Sequence, residues 1–349
     1  MVDNAANSPP AEATLMHAEA GEAADAVARF LSANAAAIAR IATRLRQRPP
    51  NSVTTCARGS SDHAATYAKY LVETLIGVPT SSAALSVASV FAAPVRAADS
   101  LCLAISQSGR SPDLLRTVEA HKRAGAYVVA LVNDAASPLA ALADELLPLH
   151  AGPERSVAAT KSYIASLAGL AALVAAWADD VGLQAGLRAL PDRLGEAFAC
   201  EWPGARDMLV GATNLFVLGR GYGFAVAQEA ALKLKETCGL HAEAFSTAEV
   251  RHGPMAIVGP GFPVLAFATS DAAGDDVRAV VREFRARGAR VEIADAAGEI
   301  STLPTARAQP ALEPIIQIQS FYRFVNALSV ARGFNPDTPP HLMKVTRTL

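Results

Sequence analysis

Short strand-like runs alternate with Ala-rich helical stretches along most of this chain, and that rhythm constrains its fold more than any single motif. Residues 52–56, 101–105, 127–132 and 145–150 read as strands in the first half, and 214–218, 262–268 and 290–294 in the second. Helical periodicity falls between them, over 14–46, from Ser60 or Ser61 as a cap to about residue 76, and over 113–124, 137–143 and 157–177. It resumes over 224–237, 274–287 and 315–331. Mostly continuous apolar strands separated by helices predict the α/β class, with parallel sheets covered by helices on both faces. Arg58-Gly59 and Arg220-Gly221 occupy the same place, each between a strand and an Ala-rich helix, about 160 residues apart, which points to an internal duplication. The expected organisation is a disordered arm over 1–12, one domain over 13–185, a second over 186–332 and a tail over 333–349, with the joint around 180–210. In such open sheets a ligand sits beyond the carboxyl ends of the strands, where the Gly- and Ser-rich turns of this chain fall.

Hydrophobic residues make up 51% and charged residues 18% of the 349, enough for sizeable cores. A net charge of −2, with Lys and Arg scattered, gives no basic field for nucleic acid or an acidic membrane. Cys56, Cys102, Cys200 and Cys238 show no metal-ligand spacing, and Cys56 and Cys102 fall in strand-like runs, so buried free thiols are expected. The first twelve residues lack the apolar core of a signal peptide. The apolar run 164–177 is too short for a bilayer and is bounded by Lys161 and Asp179-Asp180, so it reads as a core helix. A cytoplasmic protein is expected.

Between strand 101–105 and the next helix stands Ser106-Gln107-Ser108-Gly109-Arg110-Ser111, followed by Pro112, which suits a first helical position. Hydroxyls and backbone N–H groups at the positive end of a helix suit a phosphate monoester. The turn has no Lys and is not a P-loop, so no nucleoside triphosphate is implied. An N-cap with surplus serines reads equally well from these residues alone.

The second half holds a dense cluster of ionisable residues. Glu229 and Lys233 are an i, i+4 pair, and Lys233 and Glu236 an i, i+3 pair, on one otherwise apolar helix. His241, Glu243, Glu249 and His252 follow closely. Such pairs usually mark a solvated helix face. Here the Ala-rich setting points inward, and a partly buried carboxylate and ammonium have tunable pKa values suited to proton transfer beside a carbonyl. His241-Ala-Glu243 matches half of a zinc deaminase signature, but the P-C-x-x-C half is absent, so zinc is rejected. Gly219, Gly221 and Gly223 imitate a dinucleotide turn, but Phe224 stands where its last glycine belongs. His63 reads either as a catalytic group or as a surface residue.

Together these motifs resemble the sugar isomerase (SIS) family, from about residue 14 onward. The matching segments are Arg58-Gly-Ser-Ser-Asp-His63, Ser106-Gln-Ser-Gly109, Val157-Ala-Ala-Thr-Lys161, Ala231-Leu-Lys-Leu-Lys-Glu236, His241-Ala-Glu-Ala244, His252-Gly-Pro254 and Lys344-Val-Thr346. The chain is similar to the isomerase half of glucosamine-6-phosphate synthase. In local detail it is closer to stand-alone SIS-type glucosamine-6-phosphate deaminases. It carries no counterpart of the synthase's glutaminase domain, and residue 2 is Val, so it is not expected to take ammonia from glutamine by itself.

The resemblance implies two tandem SIS domains and no metal or organic cofactor. It implies that Ser106, Gln107, Ser108 and Ser111 bind the phosphate, with Ser61 lining the sugar site. It assigns Glu236 to proton transfer between C1 and C2, Lys233 to the sugar oxygens, His252 to ring opening from the neighbouring subunit of a homodimer, and Lys344 to the open-chain carbonyl, where a Schiff base is conceivable. Ser111 and Arg110 replace the Thr and Glu of the synthase, and Ala159 replaces a Ser that contacts the sugar. The implied reaction turns glucosamine 6-phosphate into fructose 6-phosphate and ammonia. Alternatives are a galactosamine- or fructosamine-6-phosphate enzyme, an ammonia-fed synthase subunit, or a sensor that binds phosphosugar without turnover. The joint presence of Glu236, His252 and Lys344 speaks against the sensor.

Overall fold

The computed structural model describes residues 10–344. Helices α1 (Leu15–Gly21) and α2 (Ala23–Gln47) precede strand β1 (Ser52–Cys56), and α3 (Ser60–Leu75), β2 (Thr80–Ser82), α4 (Ser86–Ser89) and β3 (Ser100–Ser106) follow. Next come α5 (Pro112–Arg123), β4 (Tyr127–Val132), α6 (Pro138–Leu142), β5 (Glu145–Pro148), α7 (Lys161–Trp177), α8 (Val181–Ala199) and α9 (Pro203–Leu209). The chain continues with β6 (Asn214–Gly219), α10 (Tyr222–Cys238), β7 (His241–Ser246), β8 (Pro263–Ala268), α11 (Ala272–Ala286), β9 (Arg290–Asp295) and α12 (Glu313–Ala331).

These elements form two compact units. The first comprises Asp25–Glu154 and Lys161–Arg188, and its parallel sheet has the order β2-β1-β3-β4-β5. The second comprises the described residues up to Ala24, Arg155–Thr160 and Ala189–Lys344, with a parallel sheet ordered β7-β6-β8-β9. Four strands of one sheet thus repeat the crossover order of the other. The turns repeat as well. Gly59 (φ 54°, ψ −132°) starts α3, and Gly221 (φ 56°, ψ −131°) starts α10, both in a region that a side chain at Cβ disfavours. The duplication expected from the two Arg-Gly pairs is therefore present in the backbone.

Helix α7 is apolar around its whole circumference and buried along nearly its whole length, as a core helix must be. Burying each of Leu167, Leu170 and Leu173 is worth about 1.5–3 kcal/mol. Among the described residues no helix is long and apolar enough to cross a membrane. Cys56 and Cys102 are free and buried, as expected, with their sulfurs 3.7 Å apart.

Several boundaries differ from the sequence expectations. Of the arm expected to be disordered, residues 1–9 lie outside the described residues, while Ala11–Ala13 forms a 3-10 turn whose Ala11 carbonyl accepts from Thr14 and Asn326. Helix α1 belongs to the second unit, not the first. Asp337 accepts the Leu15 and Met16 N–H groups at its start, and Gln319 donates to the Ala20 carbonyl near its end. The helix expected from residue 157 begins at Lys161. The buried Glu19 carboxylate takes the Arg155 and Ser156 N–H groups, and the Val157 N–H donates to the Asp337 carbonyl, so these amides are committed outside a helix. The joint at 180–210 is itself helical, as α8 and α9. Strands β2 and β7 have no apolar run and went unread in the sequence.

Candidate active site

In the first unit β3 delivers Ser106 at its carboxyl end, and the Ser106 Oγ accepts the Gly109 N–H at 3.0 Å, closing the turn. Gly109 has φ 63°, and a Cβ there would stand 2.3 Å from the Ser137 Oγ, so glycine alone fits. Pro112 is the first residue of α5, and Ser111 at the N-cap makes no side-chain capping bond. Gln107 and Ser108 are half-buried, and neither side chain hydrogen-bonds to a described residue. The turn therefore offers an amide and two hydroxyls at the positive end of a helix. Asp113, fully buried in the first turn of α5, receives the Arg58 guanidinium at 2.8 and 2.9 Å. That pair ties the Arg58-Gly59 turn to the start of α5. Ser60 and Ser61 do not cap α3. Gly59 is its N-cap, and both serines and His63 lie within the first helical turns.

In the second unit the cluster on α10 is buried, which removes the solvated-face reading. Lys233 is 1% exposed and its ammonium donates to Glu236 Oε2 at 2.7 Å and faces Glu229 Oε1 at 3.3 Å. Glu229 is fully buried, whereas the Glu236 side chain keeps 22% of its surface. Burial pushes the Lys233 ammonium toward neutrality, but the carboxylates of Glu229 and Glu236 outweigh it and hold its pKa above that of an ordinary lysine. At neutral pH Lys233 is a fixed, charged hydrogen-bond donor beside a side chain, Glu236, that reaches solvent. Helix α10 is positioned by Gly221 at its start and by left-handed Gly239 at its end. The hydroxyl of Tyr322, on α12, donates to Glu229 Oε1 at 3.0 Å.

His252 ends the 3-10 turn Glu249–His252 and is exposed, with no hydrogen bond or ion pair among the described residues. Its turn is pinned by Asp276 of α11, which accepts from Arg251 and Arg220 at 3.0 Å each and from Thr247. Burial works to raise the Asp276 pKa, but the Thr247 hydroxyl and the two guanidiniums hold it below the usual carboxylate range. Lys344 donates to the Ser156 carbonyl at 2.7 Å, which brings it to the Arg155–Thr160 segment that carries half-buried Ala159. Val345 and Thr346 of the tail motif lie outside the described residues. His241 and Glu243 are both exposed on β7.

The structure thus joins Lys233 to Glu236 and gathers the serines of one turn, and it leaves His252 without a described partner. A cavity of about 130 Å³ beside Trp202, Arg206 and Phe324 contains none of these residues. Asp113, Asp276 and Tyr322 were not singled out in the sequence. Arg58 and Arg220, repeated in both halves, were the signal for the first two. Nothing local marks Tyr322, which reaches Glu229 across 93 positions.

The SIS domain profile matches residues 48–176 and 208–306. The chain is 34% identical over 307 residues to the glutamine–fructose-6-phosphate aminotransferase (isomerizing) of Aeropyrum pernix, covering 82% of this chain and 49% of that protein. It spans about half the length of the curated relatives it matches. A solved structure of a proposed phosphosugar isomerase from Silicibacter pomeroyi DSS-3 is 46% identical, with a TM-score of 0.89, over 93% of this chain and 100% of that one. A glucosamine-6-phosphate deaminase from Thermotoga maritima shares the fold at 21% identity, with a TM-score of 0.77, over 96% of this chain and 100% of that one.

Proposed function

The chain belongs to the SIS domain family, and from that premise we propose that it is an isomerising deaminase converting glucosamine 6-phosphate and water to fructose 6-phosphate and ammonia. The observation that carries this reading is the buried Lys233 held between Glu229 and Glu236. Binding a sugar phosphate needs no such group, and here a buried ammonium stands 2.7 Å from the carboxylate of Glu236, whose side chain reaches solvent, as a proton-transfer pair requires.

In the proposed reaction the turn of Ser106, Gln107, Ser108 and Ser111 holds the phosphate, and Ser61 and the Ala159 backbone line the sugar. His252 opens the ring. Its exposure, and the lack of a partner for it among the described residues, support its being supplied to a second copy of the chain in a homodimer. Glu236 takes the proton from C2 of the open aldose and returns it to C1, while Lys233 supplies a proton to the C1 oxygen and is recharged by the proton that the C2 nitrogen loses. The product is a C2 imine. Water adds to it, both of the water's protons pass to the nitrogen, the C–N bond breaks and ammonia leaves, with the water's oxygen kept as the C2 carbonyl. Lys344 faces the open-chain carbonyl. The substrate is a charged sugar phosphate confined by membranes, so the proposed compartment is the cytoplasm.

The aminotransferase relatives favour a second reading, in which the same residues run from fructose 6-phosphate and ammonia toward glucosamine 6-phosphate. Both directions are tested together. Purified protein without added metal is expected to release ammonia from glucosamine 6-phosphate. Release no faster than background, with no formation of glucosamine 6-phosphate from fructose 6-phosphate and ammonium, would reject both.

A further inference from the structure

We infer that Tyr322 is a positioning residue of this site, its hydroxyl drawing on the Glu229 oxygen that faces Lys233 so that the ammonium leans toward Glu236. The inference rests on the proton-transfer role proposed for Glu236 and adds a residue on another helix. Glu229 is wholly buried, so each hydrogen bond that its carboxylate accepts weakens its claim on the Lys233 ammonium. Tyr322 supplies one such bond. It is fully buried on α12, and its hydroxyl and the Lys233 ammonium approach the same atom, Glu229 Oε1, at 3.0 and 3.3 Å. The ammonium sits closer to Glu236, at 2.7 Å.

Among the described residues, the other ionisable groups on the packed strands and on α12 are exposed or engaged elsewhere. Strands β6 and β8 carry none, and His241 and Glu243 of β7 are exposed. On α12, Glu313 is engaged by Ser270 and Arg323 by Glu201. With the tyrosine hydroxyl removed, Glu229 competes harder for the ammonium. Glu236 then loses its cation and takes up a proton at higher pH.

The test is the pH dependence of kcat/KM in Tyr322→Phe and Glu229→Gln. Y322F is expected to move the acid limb up by about one pH unit, with KM at the optimum within twofold of wild type. E229Q is expected to move the limb the opposite way, because the ammonium then belongs to Glu236 alone. A loss of rate with no movement of the limb in Y322F, or movement in the same direction in both variants, overturns the inference. If the wild-type protein turns over no amino-sugar phosphate, the functional reading fails by itself. Thermal unfolding then judges the tyrosine. A donor to a carboxylate acts through that carboxylate, so the effect of removing the donor shrinks once the carboxylate itself is removed. The Tm deficit of Y322F is therefore expected to be at least twofold larger in the wild-type background than in E229Q. Equal deficits overturn the inference.

Discussion

The turn before α5 and the turn before α11 stand at the same place in the two repeats, each at the carboxyl end of the strand beside β1 or β6. Both follow an arginine from the Arg-Gly turn that grips an aspartate on the helix, Arg58 on Asp113 and Arg220 on Asp276. They differ in what occupies the helix start. At α11, Asp271 accepts the Ala273 and Gly274 N–H groups at 3.1 and 3.2 Å, and Glu313 takes both the N–H and the hydroxyl of Ser270 at 2.7 Å. Two carboxylates of the chain itself fill that place. At α5 the N-cap is Ser111, with no capping bond, and the turn ahead of it contains no acid; the first-turn Asp113 takes the Leu114 N–H at 2.8 Å but its charge is met by Arg58. A helix start attracts an anion. The second unit supplies that anion covalently at the cap, and on the proposed reading the first leaves its cap and the turn ahead of it for an outside one. One duplicated βα turn thus accounts for why phosphate is assigned to the first unit while the ionisable cluster on α10 lies in the second.

The division can be broken most severely by removing the chemistry and watching the phosphate. Glu236→Gln is expected to cut turnover by about a thousandfold or more while leaving hexose phosphate binding, measured by titration calorimetry, within about tenfold of wild type. Loss of binding together with turnover would show that the two regions do not share the work in this way. Next comes conversion of the open turn into the filled one. Ser111→Asp puts a carboxylate at the N-cap of α5, as Asp271 is at α11. Its charge opposes a phosphate at the same helix start, so affinity is expected to fall by about a hundredfold. Chemical denaturation should show stability held or raised, because the aspartate caps the helix. Affinity within threefold of wild type would place the anion elsewhere.

How far the residues alone carry this picture differs between the two regions. The strands declared themselves where both faces are buried. In β3 every residue from Ser100 to Ser106 is buried, and the apolar run left no other assignment. Strands β2 and β7 did not, since Thr80-Ser81-Ser82 and His241-Ala-Glu-Ala-Phe-Ser246 carry exposed positions at the sheet edges. The serine turn was legible because its residue types and Pro112 follow local rules. Lys233 and Glu236 were legible as a pair but not as a buried one, because i, i+3 spacing is identical on a wet or a dry face. What remained hidden joins distant parts of the chain. Tyr322 bonds to Glu229, Glu313 to Ser270 and Asp337 to the start of α1, across 93, 43 and 322 positions. Such contacts depend on tertiary packing and leave no periodic trace.

The smallest expected effect is the one that isolates the filled turn. Asp271→Ala removes the cap from α11 and leaves the Ala273 and Gly274 N–H groups without the acceptor they now have. The cost is expected near 1 kcal/mol of folding stability, read from the midpoint of a denaturant titration at unchanged slope. Glu313 still accepts the Ser270 N–H and hydroxyl, so the turn keeps a carboxylate and does not become a competing anion site. KM for the amino-sugar phosphate should therefore stay within twofold of wild type, even though the aspartate stands where Ser111 stands in the other repeat. A tenfold rise in KM would mean that the second unit's turn also meets the ligand's charge, and the contrast between a filled and an open helix start would no longer explain where the phosphate goes.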